Sequence, residues 1–458
     1  MKILVHSMDG TGHINACLGM AQALKSRGHD VFFAVNENFT NLCTRFGFRE
    51  IVLKKTKQKI FDKNNNFIEE ECFENKEELA KIFGKQLLDS GLLSGRSSLE
   101  KLSCISPEQK NDESNYIKTL YELLIDFIPQ LEQIIQDEMP DCIVFDHFLL
   151  PPLIAGGSIP WIFLYSGNPL PLFRDPLLPP PNSGYALLKK DDEDWDIFKQ
   201  ELAKHYYHSF YDYQIKLNDY FGFVPKEAPD SNYFGIQSPY LNIYQYPEEL
   251  DYYPENKIPS NFVRVDAFIR DEVQSFEIPK KLLNNQSSNS KLIYLSLGSM
   301  GAYDIDLMKR IIDVLSKTNH KIIVSKGTRG DEYDLPDNCW GENFLPQPNI
   351  IPLVDLVITH GGNNTVTETF SNGKPMIVLP LFVDQYDNAQ RLQELGYGIR
   401  LETYAFTDDE LLSAIDCLLN NENLNENLKK ISQKIKNKNT KKKACEIIEN
   451  IVKKYSKL

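Results

Sequence analysis

Long apolar segments are missing from this chain of 458 residues. A membrane-spanning helix needs about 20 predominantly apolar residues, and a signal peptide needs an apolar core of about 7 to 15 residues. The opening MKILVHSMDG contains only a short apolar run, and no later stretch reaches the length of a span. We therefore expect a soluble, cytoplasmic protein with no membrane span.

Closely spaced cysteines and an excess of positive charge are also missing. The eight cysteines, from Cys17 to Cys445, form no C-x-x-C pair, which favours reduced thiols and gives no support to a metal site. The formal net charge of −14 opposes binding to a polyanion and argues against a nucleic-acid partner. We expect a monomer.

The size and composition favour two domains. With 42% hydrophobic residues, the chain can bury two substantial cores, and two large α/β domains fit its length better than three small ones. We predict a first domain over residues 1–277, a polar linker over 278–290, a second domain over 291–435 and a C-terminal helix over 436–458.

Strand and helix patterns alternate at the start of each predicted domain. KILVHSM predicts a buried strand, INACLGMAQALKSRGH a helix and VFFAVN a second strand, which together indicate a Rossmann-like β-α-β unit. DCIVFD and PWIFLYS continue this sheet, and KLIYLSLGS opens the second domain. Gly10 and Gly12 also permit a dinucleotide-binding alternative that Glu37 supports, although Asn15 stands where the third glycine belongs.

The segment 344–385, FLPQPNIIPLVDLVITHGGNNTVTETFSNGKPMIVLPLFVDQ, carries most of the recognisable chemistry. DLVITH predicts a strand, Gly361 and Gly362 a tight turn, and NTVTETFSNG a helix. The first N–H groups of a helix have no internal partner and carry partial positive charge, and glycines let a phosphate approach the backbone. The turn therefore predicts an anion site.

Three side chains near the turn add donors for phosphate: His360, Asn364 and Thr365. Glu368 lies about one helical turn beyond Asn364 on the same face, where its carboxylate can accept two ribose hydroxyls. An alternative stays open, because Thr365 and Glu368 also form the T-x-x-E pattern of a capping box, which stabilises a helix and binds nothing.

The two ends of the segment provide groups for a base and a sugar. Phe344 offers an aromatic face to a flat base, and Gln347 offers an amide to the base edge or the ribose. Asp384 and Gln385 follow the predicted strand PMIVLPLF at its carboxyl end, which is the edge where open α/β sheets bind ligands. An acid and an amide there supply acceptors and donors for sugar hydroxyls.

This combination resembles the signature of the UDP-glycosyltransferases, which move sugars from UDP-sugars onto small, mostly lipophilic acceptors. The resemblance is close over the 42 residues of the segment and looser over nearly the whole chain. It implies a GT-B fold, an α/β architecture in which two Rossmann-like, doubly wound domains face each other across a cleft, with a last helix that crosses back onto the first domain. It assigns the UDP-sugar to Ser299, Phe344, Leu345, Gln347, His360, Gly362, Asn364, Thr365, Glu368, Asp384 and Gln385.

The chain departs from the family pattern at several points. Phe344 replaces the tryptophan that stacks on uracil, and Asn363 stands where plant enzymes have tryptophan. The spacing from Gln347 to His360 is shorter than in plant and vertebrate members, as in the bacterial macrolide-type branch. Gln385 resembles the residue of glucosyl-using members, which makes UDP-glucose the expected donor and leaves galactose, glucuronate and N-acetylglucosamine donors open. We expect no cofactor and no metal, because the helix N-termini near Ser299 and Asn364, with His360, can stabilise the charge on the departing diphosphate.

The chemical step needs a proton acceptor, because an alcohol is a poor nucleophile until its proton begins to leave. We predict that His13 is this base and lies in the loop between the first strand and the first helix, where the helix N-terminus keeps its ring neutral. Asp146, 133 residues later, is expected to support the imidazolium as in a serine hydrolase. The family pattern G-H-x-x-P agrees, with Ala16 in place of proline. Taken alone, His13 also fits a structural histidine and Asp146 a helix cap.

Other arrangements stay open. His205, His208 and Asp212 are spaced as zinc ligands on one helix face, although an amphipathic aromatic helix over 203–224 explains them better. That stretch and the Pro-rich stretch 169–181 can line an apolar acceptor pocket. An inverting, metal-independent glycosyltransferase is our prediction. A UDP-sugar epimerase of similar fold and a non-catalytic protein that binds nucleotide sugars are the alternatives.

Overall fold

The computed structural model describes residues 1–55, 60–61, 67–68, 76–105, 116–173, 175–188, 193–225, 235–283 and 289–455. Residues 284–288, which are part of the predicted polar linker, lie outside these described residues. The described chain builds one parallel sheet before the linker and another after it.

Strands alternate with helices along both halves of the chain. The strands are β1 (Lys2–Ser7), β2 (Asp30–Asn36), β3 (Arg49–Leu53), β4 (Ile60–Phe61), β5 (Phe67–Ile68), β6 (Cys142–Asp146), β7 (Trp161–Tyr165), β8 (Leu241–Gln245), β9 (Phe262–Val265), β10 (Leu292–Ser296), β11 (Lys321–Ser325), β12 (Cys339–Glu342), β13 (Leu356–Thr359), β14 (Met376–Val378) and β15 (Gly398–Arg400). The helices are α1 (Thr11–Ser26), α2 (Lys76–Asp89), α3 (Ser98–Ile105), α4 (Tyr116–Glu138), α5 (Pro152–Ala155), α6 (Glu193–Leu202), α7 (His208–Tyr220), α8 (Lys280–Leu283), α9 (Gly298–Gly301), α10 (Ile305–Ser316), α11 (Gln347–Ile350), α12 (Asn363–Ser371), α13 (Gln385–Glu394), α14 (Asp408–Asn420), α15 (Glu422–Lys438) and α16 (Thr440–Tyr455).

The two large sheets share one strand order. Within the described residues, the first sheet runs β3-β2-β1-β6-β7-β8-β9 and the second runs β12-β11-β10-β13-β14-β15. Each domain starts in the middle of its sheet, adds strands toward one edge, and then returns to add strands on the other side, which is the doubly wound arrangement. The order reverses between β1 and β6 in the first sheet and between β10 and β13 in the second.

The central strands are apolar on both faces. β6, β7, β10 and β13 are buried along their whole lengths, as expected for parallel strands with helices on both sides. Their continuous apolar runs made them predictable from the sequence. The predicted strand PMIVLPLF is shorter than expected, since β14 ends at Val378. Pro380 has no N–H group with which to continue a ladder, and the chain turns away there.

The end of the chain packs on the first domain. After α15, Asn439 adopts a left-handed conformation with φ of 45°, and α16 then runs back to place Ile448 and Val452 in the core formed by β1, β2 and α1. Arg27 of α1 pairs with Glu449 of α16, with 2.6 Å between Nε and Oε1. The end of the chain therefore packs on the first domain through both apolar contacts and an ion pair.

The aromatic stretch 203–224 is not one regular helix. A π-helical turn, Ala203–Tyr207, lies between α6 and α7. A π turn accommodates one extra residue and is frequent at functional sites, but the apolar spacing of the sequence does not reveal it. None of the described helices has both the length and the apolar character required to cross a membrane.

Gly19 permits a close contact between α1 and the segment that leaves β9. A Cβ atom at Gly19 would lie 1.9 Å from the carbonyl oxygen of Phe268, so Gly19→Ala is expected to push α1 off the core and to cost about 1–3 kcal/mol. Gly12→Ala in the same helix is the control, because the nearest atom to its Cβ is Nδ2 of Asn364 at 3.6 Å. Thermal unfolding of both variants checks this, and equal midpoints would contradict it.

Candidate functional site

The reversal of strand order in the first sheet brings the predicted base and its partner together. β1 and β6 are neighbours, with Ser7 beside Asp146 in the parallel register, and α1 begins shortly after β1. His13 in the first turn of α1 and Asp146 at the end of β6 therefore meet at the carboxyl edge of the sheet. Nδ1 of His13 lies 2.9 Å from Oδ2 of Asp146.

Ser166 joins this pair and was not predicted. It follows β7, and its Oγ lies 2.9 Å from Nδ1 of His13 and 2.9 Å from Oδ2 of Asp146. Asp146 is buried and accepts from these two groups, so the alternative that it caps a helix is wrong. The available signal in the sequence was a polar residue at the end of PWIFLYS, since that strand ends at the same edge of the sheet.

The three groups are not arranged as a serine hydrolase triad. In that triad the serine faces Nε2 of the histidine and the carboxylate faces Nδ1. Here Ser166 and Asp146 both lie on the Nδ1 side of His13, so His13 is not placed to activate Ser166. The carboxylate favours a proton on Nδ1, which leaves Nε2 as the basic nitrogen. No hydrogen bond to Nε2 comes from any of the residues that the structure describes.

Burial and two carboxylates act on the pKa of His13. Burial lowers the pKa of His13, but the charge and hydrogen bond of Asp146 and the charge of Asp384 raise it, so that its pKa lies above the usual value. This direction is opposite to the one expected from the helix N-terminus, because carboxylates on neighbouring elements favour the imidazolium. The predicted loop position is wrong, since α1 starts at Thr11.

The predicted anion site is a turn between β13 and α12. Gly361 has φ of 86°, a conformation that glycine adopts without strain. Gly362 is the N-cap of α12, and no side chain caps this helix, so its first N–H groups can face an anion. The capping-box alternative is wrong, because Thr365 lies within the first turn and its hydroxyl accepts a hydrogen bond from Gln347.

His360 is enclosed by glycines. A Cβ atom at Gly298 would lie 2.8 Å from Cε1 of His360, and one at Gly362 would lie 2.6 Å from its Nε2. Burial lowers the pKa of His360 to about 4, so the ring is neutral near pH 7 and can donate one hydrogen bond. Ser299 lies in α9, directly after β10, and β10 pairs with β13. The two strands thus bring Ser299 and His360 to one edge.

Gln347, Thr365 and Glu368 form one polar cluster. Nε2 of Gln347 donates to Oε2 of Glu368 at 2.6 Å and to Oγ1 of Thr365 at 3.2 Å. Glu368 is only 4% exposed. Burial raises its pKa, and the charge of Arg270 opposes this rise. The hydrogen bonds of the cluster therefore orient a carboxyl group and an amide beside the turn between β13 and α12.

Arg270 belongs to this cluster and was not predicted. It follows β9, and its Nη1 lies 4.0 Å from Oε1 of Glu368, while its Nη2 lies 2.5 Å from Oε1 of Glu272. Its Nε is buried and has no hydrogen-bond partner among the described residues. Lys441 of α16 adds positive charge that lowers the pKa of Glu368. These residues lie outside the motif, so only the fold brings them to Glu368.

Phe344 and Leu345 lie just before α11. The Phe344 side chain is 40% exposed, which leaves part of its ring accessible to a flat base. Leu345 is half-buried and packs against the large hydrophobic core cluster. Gln347 starts α11, so this short segment also supplies the amide of the polar cluster. The roles of Phe344 and Leu345 toward a nucleotide stay predictions.

The loop that carries Asp384 and Gln385 is strained. Val383 has φ of 44°, which is rare for a β-branched residue. Oε1 of Gln385 accepts from two backbone N–H groups of its own loop, at 2.9 and 3.2 Å. Oδ2 of Asp384 accepts from the N–H of Asn168 at 3.0 Å, and burial raises the pKa of Asp384 to about 6. Both side chains thus have defined positions at this edge.

The N-terminus of α12 contacts the first domain directly. Nδ2 of Asn363 donates to the carbonyl oxygens of Ser166 and Gly167, at 3.0 and 2.8 Å. Nδ2 of Asn364 donates to the carbonyl oxygen of Gly12 at 2.8 Å. The Asn364 amide is therefore engaged across the domain interface, and its part in diphosphate binding stays a prediction.

The residues of the other candidate arrangements have ordinary partners or are exposed. His205 pairs with Glu201, with 3.1 Å between Nε2 and Oε2, and His208 is exposed on α7. Within the described ranges, no group of three or more possible metal ligands forms. Glu37 accepts a hydrogen bond from the backbone of Lys55.

Similar proteins are known for the chain and for its fold. A family profile described as "UDP-glucoronosyl and UDP-glucosyl transferase" matches residues 253–449. The uncharacterized UDP-glucosyltransferase YdhE of Bacillus subtilis (strain 168) is 28% identical over 228 residues, which are 46% of this chain and 58% of that protein. Human UDP-glucuronosyltransferase 1A9 is 33% identical over 153 residues, which are 32% of this chain and 28% of that protein. The matches thus span less than two thirds of either relative.

Solved structures match almost the full length of the chain. The glycotransferase of kitacinnamycin superposes with a TM-score of 0.66 and 17% identity, over 98% of this chain and 99% of its own. The calicheamicin glycosyltransferase CalG4 superposes with a TM-score of 0.60 and 16% identity, over 98% of each chain. These likenesses confirm the predicted GT-B fold. The family profile covers less than half of the chain, and it shows a resemblance to the UDP-glycosyltransferase family for residues 253–449.

Proposed function

We propose that the protein transfers a sugar, with glucose as the expected one, from a UDP-sugar to a hydroxyl group of a small lipophilic acceptor. The reaction inverts the anomeric carbon and needs neither a metal ion nor a further cofactor. One observation carries the proposal: the His13–Asp146 pair at the edge of one sheet lies beside the N-terminus of α12 at the edge of the other. Gly12 and Asn364 connect the two with a hydrogen bond of 2.8 Å.

In this proposal the donor binds the second domain. Its diphosphate lies against the free N–H groups of α12, and the neutral ring of His360 adds a donor. Ser299 lies at the same edge of the sheet, one strand away. Glu368 and Gln347 take the ribose, and the exposed part of Phe344 takes the uracil. The sugar then points toward Asp384 and Gln385, at the end nearer to the first domain.

The proposed transfer step needs no metal ion. The acceptor hydroxyl gives its proton to Nε2 of His13 while its oxygen forms a bond with the anomeric carbon. The bond from that carbon to the diphosphate breaks, and the electron pair leaves with UDP. Asp146 stabilises the imidazolium, and the α12 N–H groups with His360 stabilise the charge on the diphosphate. Attack from the face opposite to UDP inverts the configuration.

An aromatic wall beside His13 suits a lipophilic acceptor. The Phe148 ring lies edge-on to the His13 ring, with 5.5 Å between centroids. Phe148 contacts Phe210, and Phe210 contacts Tyr206 of the π turn. The aromatic stretch 203–224 therefore reaches toward the proposed base, which supports an apolar acceptor with one hydroxyl directed at Nε2.

The activity is tested by incubating the protein with several UDP-sugars and a panel of phenols, flavonoids and lipophilic alcohols. We expect the mass of an acceptor to rise by one hexose unit. His13→Ala should lower turnover about 10²- to 10⁴-fold, because the proton acceptor is lost, and leave UDP affinity nearly unchanged. His208→Ala, at an exposed position of α7, is the matched control. An epimerase would convert the UDP-sugar without an acceptor, and a binding protein would show no dependence on His13.

The pH dependence of the rate tests the pairing with Asp146. His13 must be neutral to accept a proton, and its pKa is raised above 6.5, so the rate should rise with pH through a value above 6.5. Asp146→Asn removes a charge that raises this pKa. The rising limb of the kcat profile should therefore move to lower pH, with a maximal rate reduced at least about tenfold. A limb at the same pH in both proteins would refute the pairing.

Binding of UDP as a function of pH tests the cluster around Glu368. The ionised carboxylate accepts ribose hydroxyls, and its pKa is raised by burial, lowered by Arg270 and raised by Glu272. Arg270→Gln should therefore raise this pKa and weaken UDP binding about tenfold, or roughly 1.4 kcal/mol, at the acidic end of the pH range, with recovery at higher pH. Glu272→Gln should lower the pKa of Glu368 and preserve UDP binding to lower pH.

Calorimetric titration of UDP from pH 5 to pH 9 measures both effects, with Glu368→Ala as the reference that lacks the carboxylate. Arg270→Gln removes one positive charge and Glu272→Gln removes one negative charge, so the two variants should shift the pH dependence of UDP binding in opposite directions. If both variants shift the pH dependence in the same direction, or if Glu368→Ala leaves UDP binding unaffected, Glu368 does not bind the ribose.

A further inference from the structure

Residues 166–168, which follow β7 and which we call the β7 loop, contact the proposed base pair. Oγ of Ser166 donates to Oδ2 of Asp146 at 2.9 Å and lies 2.9 Å from Nδ1 of His13. Ser166 and Asp146 are both buried, so these contacts are shielded from solvent. The hydroxyl of Ser166 therefore helps to hold the orientation of the carboxylate that in turn orients the imidazole.

The same loop is held by the second domain. Nδ2 of Asn363 donates to two carbonyl oxygens of the β7 loop, at 3.0 and 2.8 Å. The N–H of Asn168 donates to Oδ2 of Asp384 at 3.0 Å, and Nδ2 of Asn168 donates to Oδ1 of Asn388 at 2.8 Å. The partners come from α12 and from the start of α13, which are the elements proposed to hold the diphosphate and the sugar.

The orientation of Asn363 is set by this docking. Its Nδ2 also lies 3.2 Å from the carbonyl oxygen of Gln245, and only an NH₂ group can face three carbonyl oxygens. Its Oδ1 is buried and has no partner within the described residues. A buried acceptor without a partner is unfavourable. The contacts of the NH₂ group with the first domain therefore determine the orientation of the side chain.

We propose that the β7 loop couples domain closure to the base, with Ser166 as a positioning residue that aligns Asp146 and His13 only while α12 is docked on the loop. The inference rests on the proposed function, because it concerns the alignment of the proposed base. When α12 moves away, the Ser166 carbonyl loses Asn363 and its hydroxyl is no longer held against the carboxylate. Since α12 is also the proposed diphosphate site, the base is aligned when the donor domain is closed on the acceptor domain.

Ser166→Ala tests this positioning role. We expect kcat to fall about tenfold or more, while the KM for the UDP-sugar and the affinity for UDP change by less than about twofold, because the lost contact acts on the transition state. Ser166→Thr keeps the hydroxyl and should restore most of the rate. Ser103→Ala, at an exposed serine of α3, is the control and should match the unmodified protein.

A double-mutant cycle with Asn363→Ala tests the coupling itself. If both residues act through the β7 loop, the double variant should be no slower than the slower single variant, whereas independent effects multiply. Should the alanine variant fail to fold, Asn363→Ser repeats the cycle with a smaller change. Multiplicative effects, or a Ser166→Ala variant with the kcat of the unmodified protein, would overturn the coupling.

These outcomes are distinct from failure of the proposed function. Absence of transfer with every UDP-sugar and acceptor, or transfer that does not depend on His13, would overturn the proposed function and the coupling together. Transfer that depends on His13 but not on Ser166 would leave the function standing and overturn only the coupling.

Discussion

One amide group of α12 makes three of the contacts between the two domains: Nδ2 of Asn363 faces three backbone carbonyl oxygens of the first domain. Asn363 is the first residue of α12, so the group that docks on the first domain belongs to the helix whose N-terminus is the predicted anion site. The position of the predicted anion site is therefore linked to the position of the first domain, which carries His13 and Asp146. The hydrogen bond between Asn364 and Gly12 reinforces the same interface within two residues of His13.

The strand order explains why both halves of the site lie where they do. In each doubly wound sheet, the loops after the two central strands diverge and leave a crevice at the carboxyl edge. β1 and β6 deliver His13 and Asp146 to one such crevice, and β10 and β13 deliver Ser299 and His360 to the other. A chain that repeats this fold twice and places the crevices face to face can hold two substrates between two rigid scaffolds.

Much of this could be predicted from the sequence, because buried parallel strands are continuous apolar runs that end in polar residues. The strands before Asp146 and His360 were recognisable in this way, and the rule that parallel strands share a carboxyl edge predicted that Asp146 would meet His13 across 133 positions. The family resemblance added the fold, which the solved structures confirm. The roles of the individual donor-binding residues stay predictions.

Other features depend on neighbours that only the folded chain provides. The pKa of His13 is raised because Asp384 of the second domain faces it together with Asp146, and no local pattern contains that pair. Ser166 and Arg270 reach the site from β7 and β9, far from either motif in the sequence. The π turn at Ala203–Tyr207 changes the register of an apparently regular helix, and the apolar spacing on its two sides conceals the extra residue.

The proposed transfer depends most directly on where uridine diphosphate binds. A crystal structure of the protein with UDP measures this, and we expect the diphosphate within hydrogen-bond distance of the first N–H groups of α12, with the ribose at Glu368 and the uracil against Phe344. A nucleotide bound elsewhere on the protein, or crystals that take up none at saturating UDP, would contradict the account.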